Sequence, residues 1–91
     1  MNNSTQILKV LAGDTRYKIL NQILESPDYT INLAKKLSLE SSIITHQLKK
    51  LEKEGLLFSY RKGKLKYYEI KDKQALKSFF SSLNKLNNGG T

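Results

Sequence analysis

Polar and basic side chains recur along one side of the segment 41–54. We take this segment to be a helix with Ile44 at the centre of its inward face. A rotation of about 100° per residue then shows which residues lie on the opposite, outward face. That side consists of Ser42, His46, Lys49 and Lys53, with Thr45 and Lys50 on its flanks. Such a face suits the major groove of a duplex, where residues near the helix N-terminus reach base edges and later ones meet phosphates.

The position of a residue along this helix predicts its role in DNA binding. We expect the first residues to read bases and the three lysines to contact phosphates. The base-reading candidates are Ser42, Thr45 and His46, the phosphate contacts are Lys49, Lys50 and Lys53, and Ser41 and Gln47 are further DNA-binding candidates. Gln47 is a weaker candidate for a base contact because it lies nearer the core flank, although a glutamine that reaches adenine can pair with it. For any single lysine, the alternative is a solvated helix face.

A second basic cluster surrounds Gly63. The flanking runs Leu56–Arg61 and Lys64–Ile70 are rich in strand formers, and the glycine favours a hairpin because it adopts positive φ without Cβ strain. The cations near the tip are Arg61, Lys62, Lys64 and Lys66. A nearby phosphate backbone would relieve their mutual repulsion, so we predict a wing that contacts DNA. Lysines that only discourage edge-to-edge aggregation are the alternative.

The charge of the chain is concentrated in the part that contains these two clusters. The 91 residues include 16 Lys and Arg against 8 Asp and Glu, which gives a net charge of +8. Residues 35–66 hold +6 of this total, so the positive field is directional and favours a polyanionic partner. A lysine-rich solvated surface of the kind seen on thermophile proteins is the alternative.

The sequence contains few of the residues that catalytic or metal sites require. One His and no Cys exclude thiolate zinc sites, iron–sulfur clusters and cysteine nucleophiles. A Gly-rich phosphate loop is absent, and the acids fall at predicted caps, turns or charged surfaces, so we predict no enzyme activity and no cofactor. No stretch approaches about 20 apolar residues and no secretory signal is evident, so we expect a cytoplasmic protein without a membrane span.

The elements that position these side chains are predicted to form one domain over residues 1–91. Helical spacing predicts about five helices: a two-turn helix closed by Gly13, one from Asp14 to Glu25, one opening at Thr30, one over 41–54 and one from Asp72 to Leu86. A three-residue turn separates the third and fourth helices, the two-stranded hairpin follows them, and residues 87–91 form a frayed tail. This mainly α order with a small β-hairpin is the winged helix-turn-helix arrangement.

Several short runs between residues 11 and 70 resemble a known family. The runs are Leu11–Leu20, Leu33–Leu37, Ser42–Leu51, Glu54–Leu57, Arg61–Lys64 and Tyr67–Ile70. Their order and spacing resemble the ArsR-type winged helix transcription regulators of prokaryotes. The resemblance implies a homodimer joined through its first and last helices, which binds an operator with two-fold symmetry and usually represses. The family typically has Ser-x-His-Leu where this chain has Thr45-His46-Gln47-Leu48, so the hydroxyl is kept and Gln replaces His.

The residues by which many family members detect metals are absent from the matching segments. Those members use Cys pairs in the helix before the recognition helix, or His and carboxylate clusters in the last helix. Here the earlier helix, Ile31–Leu37, has no such ligand, and the last helix has no His and no acid after Asp72. First-row transition metals need several imidazole, thiolate or carboxylate ligands together, so we predict no metal site.

The last helix carries more apolar surface than an edge helix of a small domain needs. Together with the apolar cluster near the N-terminus, it predicts a dimer interface formed by residues 1–13 and 72–86. The candidate interface residues are Ile7, Leu8, Leu11, Leu76, Phe79, Phe80, Leu83 and Leu86. Packing of these side chains within one chain is the alternative.

These observations together predict a sequence-specific regulator of transcription that binds double-stranded DNA, most simply as a dimeric repressor. Residues 41–54 would lie in the major groove and residues 58–69 on the adjacent backbone or minor groove. The alternative is an architectural protein that coats DNA through backbone contacts with little sequence preference. A winged helix that binds protein or RNA is a third possibility, because the fold alone does not determine the ligand.

Overall fold

The computed structural model describes the backbone of residues 3–89 and the side chains of residues 13–82, within which the chain forms four helices and one hairpin. The elements are α1 Asn3–Glu25, α2 Thr30–Leu37, α3 Ser41–Lys53, β1 Leu57–Lys62, β2 Leu65–Ile70 and α4 Lys73–Gly89. Their order confirms the predicted winged helix-turn-helix architecture. None of the described helices is both long and apolar enough to cross a membrane.

The first helix differs from the prediction. Residues 3–25 form one continuous helix, so the break predicted at Gly13 is wrong and the described backbone has four helices instead of five. A glycine inside a helix costs only about 1 kcal/mol relative to alanine, which a 23-residue helix tolerates. Asp14 does not cap a helix start: its carboxylate pairs with the Lys18 ammonium at 3.1 Å, one turn later.

The last helix also differs in length. α4 begins at Lys73 after Asp72, whose Oδ1 accepts a hydrogen bond from the Ala75 backbone N–H at 3.0 Å, so the predicted cap is confirmed. The helix continues through Gly89, which places residues 87–89 in α4 and not in the predicted frayed tail. Residues 90 and 91 lie outside the described part of the chain.

The turn between α2 and α3 has three residues, as predicted. Ser38 adopts a left-handed φ of 56°, and the Leu39 backbone N–H donates to the Ala34 carbonyl at 3.0 Å, which satisfies carbonyls left free at the helix end. α3 starts at Ser41 and ends at Lys53, and Gly55 follows with a φ of 84°. The helix-turn-helix and its glycine stop signal are therefore confirmed.

The hairpin pairs β1 and β2 from Leu57 opposite Ile70 to Lys62 opposite Leu65. Its loop has two residues, Gly63 and Lys64, and Gly63 has a φ of 65°. A glycine at the first position of a two-residue loop is the preference of a type II′ turn, whose twist matches that of the strands. The tip is therefore at the predicted glycine, although Lys62 belongs to β1.

A single core joins the helices to the base of the hairpin. Its fully buried side chains come from α1, α2, α3 and β1. β2 and α4 contribute side chains that are at least nine-tenths buried. The core side chains are Ile19, Leu20, Ile23, Leu33, Ala34, Ile44, Leu48, Leu51, Leu57, Tyr68, Ile70, Leu76 and Phe80. Because three of them belong to α3, the core determines which side of that helix faces solvent.

Candidate nucleic-acid interface

The solvent-facing side of α3 is polar and basic. Its buried side consists of Ile44, Gln47, Leu48 and Leu51. Ser41, Ser42, His46, Lys49, Lys50 and Lys53 are exposed, and Thr45 is half-buried. Every residue of α3 predicted to contact DNA therefore lies at the surface, with the exception of Gln47.

The structure does not support Gln47 as one of the residues predicted to contact DNA. It lies three residues after Ile44 and four before Leu51, so it shares their face of the helix. Only 8% of its surface is exposed, which leaves its amide no access to a base edge. We therefore remove Gln47 from the candidate interface.

The four predicted wing cations are all exposed at the outer end of the hairpin. Arg61 and Lys66 face each other directly in the strand register, an arrangement that destabilises a strand pair unless an anion compensates it. The Lys66 ammonium lies 5.5 Å from the centre of the Tyr68 ring. The hairpin tip is thus a region of uncompensated positive charge.

The cations of α3 and of the hairpin take no part in the ion pairs of the described side chains, and the same holds for Lys35, Lys71 and Lys77 elsewhere on the surface. Among the described side chains, the ion pairs are Arg16–Glu54, Lys18–Asp14, Lys36–Asp28 and Lys73–Glu69. None of them uses one of the three lysines of α3 or the four cations of the hairpin. We call these seven residues the free cations: Lys49, Lys50, Lys53, Arg61, Lys62, Lys64 and Lys66.

The hairpin is attached to α3 at its base. The Ser59 hydroxyl on β1 donates to the Glu52 carboxylate on α3 at 2.7 Å, and the Leu56 backbone N–H donates to the Leu51 carbonyl at 3.0 Å. Arg16 of α1 forms an ion pair with Glu54, directly after α3. These contacts hold the wing and the exposed side of α3 in a defined relation to one another.

Asp28 provides a second attachment, between β2 and α2. Its backbone pairs with that of Tyr68 in both directions, at 2.8 and 3.2 Å. Its carboxylate is 3% exposed and accepts hydrogen bonds from the Tyr29 N–H, the Asn32 amide and the Lys36 ammonium at 2.8, 2.8 and 3.2 Å. One buried residue therefore links the wing to the first helix of the helix-turn-helix.

The predicted dimer residues divide into three groups. Leu76 and Phe80 are 8% and 9% exposed and pack into the core of the chain, so they offer little surface to a partner. The Phe80 ring packs at 4.9 Å from that of Tyr17, a contact within the chain. Phe79 is 57% exposed and stays a candidate. The side chains of Ile7, Leu8, Leu11, Leu83 and Leu86 lie outside those that the structure describes.

Sequence reasoning missed an aromatic surface on the hairpin. Phe58 and Tyr60 point away from the core because strand residues alternate between faces and their neighbours Leu57 and Ser59 point inward. Tyr67 lies opposite Tyr60 on the same outer face. The alternation within residues 57–60 could have indicated this surface, but the cross-strand register was needed to join its two halves.

Within residues 13–82, no group of three or more His, Cys, Asp or Glu side chains is arranged to hold a metal ion. Desolvation and hydrogen bonding to Glu69 raise the pKa of Tyr60, so its phenol stays neutral at ordinary pH. The exposed hydroxyl, imidazole and cationic groups of α3 and the hairpin offer hydrogen bonding and charge neutralisation.

Comparison with known proteins agrees with this geometry. The sequence pattern of a family described as "Bacterial regulatory protein, arsR family" matches residues 13–59. The HTH-type transcriptional regulator NmtR of Mycobacterium tuberculosis is 34% identical over 65 residues, which are 71% of this chain and 54% of NmtR. The chain thus spans about half the length of this curated relative.

Solved structures share the fold. The transcriptional regulator BldR from Sulfolobus solfataricus superimposes with a TM-score of 0.69 and 30% identity over 82% of this chain and 58% of BldR. The homodimeric winged helix-turn-helix DNA-binding domain Mb0332 from Mycobacterium bovis, described as a possible ArsR-family regulator, gives a TM-score of 0.72 and 20% identity. That match covers 93% of this chain and 78% of the Mb0332 domain. Because the family pattern runs through the whole helix-turn-helix and over half of the residues, the chain belongs to the arsR family of bacterial regulatory proteins.

Proposed function

We propose that the chain is a sequence-specific regulator that binds double-stranded DNA and acts in the cytoplasm as a dimeric repressor. α3 lies in the major groove, and the wing, residues 58–69, follows the adjacent backbone or minor groove. The observation that carries DNA binding is the set of free cations on α3 and the hairpin, and the exposed side chains of Ser42 and His46 at the start of α3 support the reading of sequence. Phosphates neutralise such cations without displacing an intramolecular partner.

The roles within the interface follow from position along α3. Ser41, Ser42, Thr45 and His46 occupy the first two turns, which is where a recognition helix reaches base edges. Hydroxyl and imidazole groups can both donate and accept hydrogen bonds, so they suit direct readout. The free cations supply the phosphate contacts, which set register and orientation without reading sequence.

The proposed homodimer uses α1 and α4, with residues 1–91 forming one domain. In support, the exposed Phe79 of α4 lies beside an apolar groove of about 390 Å³, which Leu20, Leu56 and Ile70 also line. The Mb0332 domain, which has the same fold, is homodimeric. A two-fold symmetric dimer would present two α3 helices to half-sites about 10 bp apart. Repression follows if the occupied operator excludes other proteins from a promoter.

The proposal includes no enzymatic activity, cofactor or metal. The curated relative is a transcriptional regulator, which supports a binding role. The rival with the most similar chemistry is a protein that coats DNA through phosphate contacts alone, and the free cations would serve it equally well. Selectivity among duplexes separates the two.

Selection of bound duplexes from a genomic fragment library tests the proposed function. We expect one duplex to bind at least about 10³-fold more tightly than random DNA, with a footprint of two symmetric half-sites. With about six phosphates neutralised in the complex, log K should fall with log salt at a slope near −5. Equal affinity for all duplexes would favour the coating protein, and a slope near zero would contradict the electrostatic argument.

Alanine substitutions test the division of roles. Thr45→Ala and His46→Ala should each cost about 1–3 kcal/mol on the selected duplex, with relaxed preference at one base step. Lys62→Ala and Lys64→Ala should weaken binding to all duplexes alike and reduce the salt slope by about 1 each. Fluorescence anisotropy on the selected and a scrambled duplex measures both effects. Identical behaviour of the two pairs would contradict the assignment of bases to α3 and phosphates to the wing.

A further inference from the structure

The outer face of the hairpin carries a row of aromatic rings. The centre of the Phe58 ring lies 6.0 Å from that of Tyr60, which stacks on Tyr67 across the strands at 6.0 Å with 12° between the planes. Tyr67 in turn meets Tyr29 edge-on at 5.3 Å. We call these four residues the aromatic face: Tyr29, Phe58, Tyr60 and Tyr67.

The exposure of this row is not explained by hairpin stability alone. The stacked Tyr60–Tyr67 pair stabilises the two strands, as aromatic cross-strand pairs do. Phe58, however, lies opposite Glu69 and is 41% exposed, and Tyr60 is 37% exposed. The outward side of a two-stranded wing is ordinarily polar, so exposed rings in a row indicate a binding surface.

The charge around the aromatic face favours a polyanion. Strand alternation puts Lys62 on the same side as Tyr60, and Lys64 follows in the loop. Glu69 is the acid on this side of β2, and its carboxylate lies 3.9 Å from the Lys73 ammonium. The phenol of Tyr60 remains neutral, since desolvation and Glu69 raise its pKa. Ring faces and unpaired cations thus occur together, and the acid on this side, Glu69, is paired with Lys73.

We propose that the aromatic face binds single-stranded DNA, with bases stacked on Phe58 and Tyr60 and phosphates at Lys62 and Lys64. Base–aromatic stacking combined with a cationic track is how single strands are held without sequence readout. An acidic protein partner would satisfy the cations but would leave the row of rings without a specific role. The proposal does not depend on operator reading by α3, because the two stacking rings, Phe58 and Tyr60, lie on β1.

Three probes of one length separate stacking from charge. We would measure the affinity of the full chain for a single-stranded oligo-dT of about 12 nucleotides, an abasic deoxyribose-phosphate strand of equal length, and oligo-rU. The dT strand should bind about tenfold or more tightly than the abasic strand, since only stacking differs. Equal affinity for dT and the abasic strand would overturn the proposal, and tighter binding of rU would overturn the choice of DNA.

Matched variants locate the effect on the wing. The double variant Phe58→Leu/Tyr60→Leu keeps apolar side chains but removes the rings, so its preference for dT over the abasic strand should disappear. Tyr60→Phe, which keeps the ring, should retain the preference, and so should Phe79→Leu, which removes an exposed ring from α4. If the Leu double variant retained the preference, or Phe79→Leu abolished it, the site would not be the aromatic face.

The readout also distinguishes this proposal from the proposed function. The ratio of dT to abasic affinity cancels the phosphate contribution, so it reports stacking whatever happens to duplex binding. Thermal unfolding by circular dichroism checks that each variant is folded. If the double variant is not, the single variant Phe58→Leu, at an exposed position outside the core, replaces it and should reduce the preference for dT. If the chain binds one duplex selectively but binds dT and the abasic strand with equal affinity, only the single-strand proposal is contradicted.

Discussion

Reversing the charge of two α3 lysines should lower the affinity for the selected duplex by at least about 100-fold. In Lys49→Glu/Lys53→Glu, two exposed cations without ion-pair partners among the described side chains become anions next to the proposed phosphate path. A hydrogen bond to a charged group contributes about 1.5–3 kcal/mol, so losing two costs roughly 3 kcal/mol or more. The loss should shrink at high salt. Fluorescence anisotropy at several salt concentrations measures it.

A control of equal net charge separates location from total charge. Lys71→Glu/Lys77→Glu makes the same reversal on exposed residues outside α3 and the two strands. We expect the affinity of this variant for the selected duplex to fall by less than about tenfold, because interactions between charges beyond the Debye length of about 10 Å are largely screened at 0.1 M salt. Because Lys77 lies in α4, size-exclusion chromatography checks that the control variant keeps the oligomeric state of the parent chain. Equal losses in two variants of the same oligomeric state would mean that the affinity for duplex DNA depends only on net charge, and the interface on α3 would be refuted.

Removing the buried carboxylate of Asp28 should lower the stability of the chain substantially. Asp28→Ala should lower the free energy of unfolding by about 3 kcal/mol, because it removes three hydrogen bonds at once. The loss stays near the lower end of the range for buried ion pairs since Lys36 is 44% exposed and can be rehydrated. Urea unfolding followed by circular dichroism, at one protein concentration for all variants, provides the measurement.

Two further variants show which hydrogen bond of the Asp28 carboxylate contributes most to stability. Asp28→Asn keeps an oxygen acceptor for the Tyr29 N–H and should cost less than Asp28→Ala, whereas Lys36→Met removes only the ammonium and should cost about 1 kcal/mol or less. Because Asp28 also pairs with Tyr68, a destabilised Asp28→Ala chain should lose protection of the Tyr68 amide against hydrogen exchange. A stability unchanged from the parent chain would contradict the role of Asp28 as the attachment of the wing.

Much of the fold could be predicted because its signals are local. The face of α3 follows from apolar residues three and four positions apart, and the positions of Gly55 and Gly63 follow from the positive φ that each turn needs. The cap at Asp72 likewise involves a backbone N–H only three residues away. Local signals failed at Gly13, where a glycine that resembles a stop lies inside α1, because its cost is small compared with what a long helix gains elsewhere.

The sequence by itself determined the order of elements, the polar side of α3 and the basic tip of the hairpin, since each depends on neighbours within a few residues. Only the tertiary structure decided that Gln47, Leu76 and Phe80 face the core, because a residue at the edge of a helix face is buried or exposed according to the element that packs beside it. The same holds for Asp28 and Tyr68, which lie 40 residues apart in sequence yet exchange two backbone hydrogen bonds. Spacing along a chain encodes periodicity, whereas pairing between distant segments depends on how the whole chain packs.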